Sequence, residues 1–120
     1  MRTIQSEFEE FTLILKEIKK KIDINTDMTW SGYNNINELN SELDYLLLTL
    51  SNKDRSAIDR VVFLFAPTGT FQELSISNGW QDRYLELIVI VDQYSSRPKT
   101  RNDGLFTRLK RYLQRNQRGQ

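Results

Sequence analysis

Cysteine and histidine are both missing from this 120-residue chain. Without cysteine there is no disulfide framework, no thiolate metal site and no thiol nucleophile, which suits a reducing compartment. Without histidine the commonest metal ligand and the side chain best suited to proton transfer near neutral pH are gone as well. Proline occurs twice and glycine five times, so punctuation such as Pro67, Gly69 and Gly79 is sparse. Long apolar runs are also missing. The densest, residues 61–66 and 87–91, fall far short of the roughly 20 residues a membrane-spanning helix needs. At the start, Glu7, Glu9 and Glu10 interrupt the stretch where a signal peptide would need an apolar core. The expectation is a cytoplasmic protein with no membrane partner, and the length is that of one domain with a single core, residues 1–120.

What is present is charge, unevenly divided. From Arg97 onward eight basic residues stand against Asp103 alone, giving +7, while the preceding residues carry nine basic and fifteen acidic groups, giving −6. Such a split bears on partners and solubility rather than on fold.

The apolar pattern is helical in most of the chain. Ile4, Phe8, Phe11, Leu15, Ile18 and Ile22 recur at intervals of three and four, which predicts a helix over about 3–23. Its acids come early and Lys19, Lys20 and Lys21 late, as the helix dipole favours. Residues 24–34 mix turn formers with Met28, Trp30 and Tyr33 and predict a loop with its own aromatic anchors. Trp30 and Tyr33 there either plug the end of the core, the favoured reading, or form a partner-binding patch. Asn35 with Glu38 resembles a capping box opening a second helix through Leu39, Leu43, Leu46 and Leu50. Ser51, Asn52 and Asp54 can start a third helix, which Pro67 stops; a strand over 60–66 competes with it. Thr70 with Glu73 reads as a second capping box, opening a short helix that Gly79 ends. Its rival is a hairpin about the Asn78-Gly79 turn. Tyr84, Leu87, Ile88 and Val91 continue a helix to about Tyr94. A basic helix over about 103–116, with Leu105, Phe106, Leu109 and Leu113 on one stripe, precedes a frayed end at 117–120. The fold expected is an all-α, or nearly all-α, single-domain bundle of five or six helices; the alternative is α+β with a hairpin around residues 60–80. The expected core contains Phe8, Phe11, Leu15, Ile18, Leu39, Leu43, Leu46, Val62, Phe65, Leu74, Trp80, Tyr84, Leu87, Ile88, Val91 and Leu109.

Chemistry-bearing patterns are few. There is no Ser/His/Asp set, no phosphate-binding glycine loop and no metal-ligand spacing. Carboxylate pairs such as Asp54 with Asp59, or Asp82 with Glu86, read as surface pairs rather than acid–base machinery. The expectation is a protein that is not an enzyme, with no catalytic residues, no metal and no cofactor. Two binding surfaces suggest themselves. Glu38, Glu42 and Asp44 make the second helix acidic with no basic residue before Lys53, and with Trp30 and Tyr33 they are candidate contacts for a protein partner, a basic one by charge. Arg101, Arg108, Lys110, Arg111 and Arg115 are candidate phosphate contacts for a nucleic-acid-binding regulator. The plainer reading of that basic helix is that it docks on the acidic body and cancels its charge.

Leu64-Phe65-Ala66-Pro67-Thr68-Gly69, Phe71-Gln72-Glu73, Asn78-Gly79-Trp80 and Tyr84-Leu85 together resemble a block found in small bacterial proteins of unassigned role. In size and general character the chain is also similar to bacterial immunity proteins. That likeness implies stoichiometric neutralisation of a cognate toxin by covering its active site, often a basic nuclease surface.

Overall fold

The apolar stripe of the first helix decides where everything else packs. In the computed structural model, which describes the backbone of residues 4–94 and side chains from Ser6 onward, α1 spans Ile4–Lys20 and buries Phe8, Phe11, Ile14, Leu15 and Ile18. It ends slightly before the expected limit, because Lys21 and Ile22 turn their N–H groups to carbonyls three residues back, at 2.9 and 3.2 Å. Ile22 stays half-buried against the core.

Helix α2, Ile36–Ser51, lies along α1 and buries Leu39, Leu43, Leu46 and Leu50. Asn35 caps it by accepting the Glu38 N–H at 2.9 Å. The Glu38 carboxylate reaches back one residue further than the capping box prescribes, taking the Asn34 backbone N–H at 3.0 Å and its amide at 3.2 Å. Ser51 belongs to the end of this helix and Asn52 is its C-cap, so α3, Arg55–Leu64, starts only at Asp54, whose carboxylate accepts the Ser56 N–H at 2.9 Å. Buried residues of this segment come in pairs, Ala57 and Ile58, Val61 and Val62, Leu64 and Phe65. That is helical spacing, and it excludes the strand over 60–66.

Helices α4, Thr70–Asn78, and α5, Gln81–Gln93, pack against each other across Gly79. Gly79 adopts φ 81°, and the N–H of Trp80 bonds to the Ser75 carbonyl at 2.9 Å, so Asn78-Gly79 ends a helix rather than turning a hairpin. The expected Thr70 capping box does not form. Gly69 occupies the cap position and Thr70 is the first helical residue, its hydroxyl donating to the Ser31 carbonyl at 2.8 Å. Among the described residues there is no strand, and the five helices make the expected all-α bundle.

The centre of the bundle is aromatic. Phe65 meets Phe71 edge to face at 4.9 Å and stacks on Tyr84 at 5.6 Å, and the Tyr84 hydroxyl donates to the Phe65 carbonyl. Burial pushes the Tyr84 hydroxyl's pKa well above its ordinary value, keeping it a neutral donor. Gly69 is required by space, since a Cβ there would lie 2.8 Å from the Ala66 carbonyl oxygen. Gln72, fully buried, accepts the Thr68 N–H through its side chain and so secures the turn between α3 and α4. Fourteen of the sixteen expected core residues are buried. Trp80 is half-buried against the core at the start of α5, with Lys21 Nζ 5.6 Å from its ring centroid. Leu109 and the expected basic helix over 103–116 lie outside the described residues. Among the described residues no helix is long and apolar enough to cross a membrane.

Candidate protein-binding surface

The connection from α1 to α2 is short of regular structure but not of hydrogen bonds. Asp23 accepts the Asn25 N–H at 2.8 Å, and the Asp23 N–H donates to the Thr26 hydroxyl at 2.8 Å. Asp27 takes both the N–H and the hydroxyl of Thr29, at 3.0 and 2.7 Å. These hydrogen bonds, led by the Thr29 hydroxyl, hold its carboxyl below the usual carboxylate range. Asn78 at the end of α4 clamps the same residue from outside: its Oδ1 accepts the Asp27 N–H at 2.7 Å, and its Nδ2 donates to the Asp27 carbonyl at 3.0 Å and to the Leu74 carbonyl at 2.9 Å. Beyond Trp30, Ser31 is buried, receives the Thr70 hydroxyl on its carbonyl, and accepts the Tyr33 N–H on its own hydroxyl at 3.0 Å.

Trp30 therefore sits between two pinned stretches of backbone. It is 71% exposed, and Ile24 on the same loop is 88% exposed. The expected plug of the core is not what Trp30 forms: Met28 and Tyr33 pack against the core from this loop, and Trp30 points to solvent.

Tyr33 begins a second cluster. Its hydroxyl donates to Glu42 Oε1 at 2.8 Å, and Arg60 of α3 donates to the same oxygen at 2.7 Å. The Arg60 guanidinium also lies 5.2 Å from the ring centroid of Phe63, which is 57% exposed. Burial works against the charge on Glu42, but the hydrogen bonds from Arg60 and Tyr33 outweigh it, and its carboxyl stays below the ordinary value. For Tyr33 burial and the neighbouring carboxylate act together and push its pKa up to about 12.

The three acids expected to share a face do not share one. Glu38 is held at the start of α2 by Asn34, whose hydrogen bonds keep its carboxyl below its ordinary value. Glu42 turns towards α3. Asp44 turns towards α1, where Lys19 donates to it. The missing basic partners are thus supplied by neighbouring helices, and the outer face of α2 shows Tyr45 and Leu48 instead. Of the candidate contacts, Trp30, Tyr33 and Glu38 follow one another along the loop and the first turn of α2, whereas Asp44 lies apart. Arg101, Arg108, Lys110, Arg111 and Arg115 lie outside the described residues.

Sequence reasoning missed Ile24 and Phe63. Phe63 stands in the densest apolar run and carries no local sign that it faces outward, but a helical wheel drawn on Ile58, Val61, Val62 and Phe65 places it off the buried side. Among the described residues no three acidic side chains converge as a metal site. Compared with protein-family models, with curated proteins and with solved structures, the chain gives no match.

Proposed function

We propose that this protein acts in the cytoplasm by stoichiometric binding of another protein, in the manner of an immunity protein that covers a cognate toxin, with Trp30 and Ile24 at the centre of the contact. One observation supports this above the others: Trp30 is held out by a loop whose backbone is pinned on both sides of it. A single exposed apolar side chain is ordinary on any surface. A tryptophan that has already lost its backbone freedom is different, because the ordering cost of binding is then largely met before the partner arrives. Tryptophan is also the residue type most enriched among the few contacts that dominate interface energies.

The same loop and the first turn of α2 carry the acids Asp23, Asp27 and Glu38. A basic partner surface would be steered towards them, with a gain chiefly in association rate. The tagged full chain, used as bait in lysate of its native host at moderate salt, is expected to retain one protein in stoichiometric amount. Retention of nucleic acid alone, lost as salt rises, would overturn the reading.

A further inference from the structure

Besides its buried stripe, α1 carries a second one. Ser6, Glu9, Leu13, Lys16 and Lys20 recur at intervals of three and four, and all five are exposed. Leu13 stands at the middle, 64% exposed. Other charges of the same helix are used within the chain: Glu7 pairs with Arg55, Glu17 with Arg83 and Lys19 with Asp44. Glu9, Lys16 and Lys20 enter no ion pair among the described residues.

The order of these unpaired charges says what fits the stripe. An exposed leucine alone is ordinary, but here the sign of the charge changes from one side of the leucine to the other. A copy of α1 laid antiparallel across it, with the two-fold axis at Leu13, brings the two Leu13 side chains together and sets each Glu9 opposite the Lys16 of the other chain. At 1.5 Å per residue Glu9 lies about 6 Å before Leu13 and Lys16 about 4.5 Å after it, so the opposed groups are level to within about 1.5 Å. Laid parallel, the same helices would oppose Glu9 to Glu9 and Lys16 to Lys16. A uniformly acidic or uniformly basic partner meets like charge at one end of the stripe whichever way it lies.

The neighbouring helix widens the face. Ser51 of α2 borders the same cavity as Leu13, and the exposed Leu48 and Tyr45 lie one and two turns back along α2 from Ser51. Two helices about 25 Å long and 8–10 Å apart offer roughly 500 Å² per chain, or roughly 1,000 Å² in a symmetric pair, which is the lower limit of specific interfaces. Such an area suits a reversible contact rather than a permanent one.

We propose that the outer face of α1 is a self-association surface, on which two copies of this chain pack antiparallel about Leu13 as a weak, reversible dimer. The dimer does not rest on the protein-binding reading of the Trp30 loop.

Sedimentation velocity of the full chain over a range of concentrations tests it. The average mass is expected to rise from 14.2 kDa towards twice that value as concentration increases. Leu13→Asp, at an exposed position, should leave a folded monomer. Glu9→Lys and Lys16→Glu should each weaken association about tenfold or more, because each sets like charges opposite one another on both sides of the axis. An equimolar mixture of those two variants, and the double variant with the charges exchanged, should associate as the wild type does. A wild-type chain that stays monomeric at every concentration overturns the proposal. So does a dimer that Leu13→Asp leaves intact, or one that neither the mixture nor the double variant restores.

Discussion

Arg60 and Glu42 meet at 2.7 Å across the α2–α3 pair, with the Tyr33 hydroxyl on the same carboxylate oxygen at 2.8 Å. One oxygen thus ties together the loop, α2 and α3, and a residue that reads as a free surface acid is a structural link. A double-mutant cycle of Arg60→Ala and Glu42→Gln is expected to give a coupling of about 1 kcal/mol, at the upper end for partly exposed pairs because the carboxylate is the more buried partner. Urea denaturation of the four proteins measures it. Zero coupling would make the contact incidental.

Tyr33 and Tyr84 both weaken the fold at alkaline pH, and Tyr33 is the one whose ionisation falls within reach. Its pKa is pushed up to about 12 in the folded protein from 10.0, so the native state keeps a proton that the unfolded chain gives up. Its stabilising contribution is complete below pH 10 and is lost as pH rises through 12. Phenolate absorbance should show one tyrosine ionising near 12, and Tyr33→Phe should remove that step.

At the acid end the signs are reversed. Glu17 is held low by its hydrogen bond from Arg83, Glu38 by the Asn34 N–H and Asp54 by the Ser56 N–H, and Glu42 and Asp27 are lowered as described above. Each folded-state value lies below the ordinary 4.5 for glutamate or 3.8 for aspartate, so each contributes stability that is present above those values and disappears as pH falls through the folded pKa. The thermal midpoint should be nearly level from neutrality to about pH 5 and decline below 4.5. Glu17→Gln should make that decline shallower. An unchanged slope in the variant would separate the Arg83 contact from acid stability.

Two glycines should respond differently to alanine. At Gly79 a Cβ meets nothing within 4 Å, and only φ 81° is at issue, for a cost of about 1 kcal/mol. At Gly69 φ is an ordinary −85°, but the Cβ would press on backbone oxygens of Ala66 and Leu64 at 2.8 and 3.2 Å. Moving backbone in a packed turn costs roughly 1–3 kcal/mol. Chemical denaturation should rank Gly69→Ala as the more damaging change.

Those glycines lie in the block that runs from Leu64 to Leu85, and its residues hold the fold together. Phe65, Phe71 and Tyr84 build the aromatic centre, Gln72 secures the turn, and Asn78 clamps the loop before Trp30. The helices themselves were legible because Phe8 to Ile18 and Leu39 to Leu50 repeat at one period and because Asn35, Asp54 and Gly79 mark ends by local chemistry. Thr70 was misread because its hydroxyl is taken by Ser31, 39 positions away in sequence. The same distance problem hid the pairing of Asp44 with Lys19 and Glu42 with Arg60. Which way Trp30 faces was equally illegible, since the clamp from Asn78 that shapes its loop spans 51 positions.

The central claim is that a pinned, exposed Trp30 is the anchor for a protein partner. It is tested most directly by calorimetric titration of the stoichiometric partner, recovered by pull-down, with the wild-type chain and with Trp30→Ala at one salt concentration. The account predicts at least a thirtyfold loss of affinity, the equivalent of roughly 2 kcal/mol at an interface anchor, with an unchanged unfolding midpoint. Equal affinity of the two chains would contradict it.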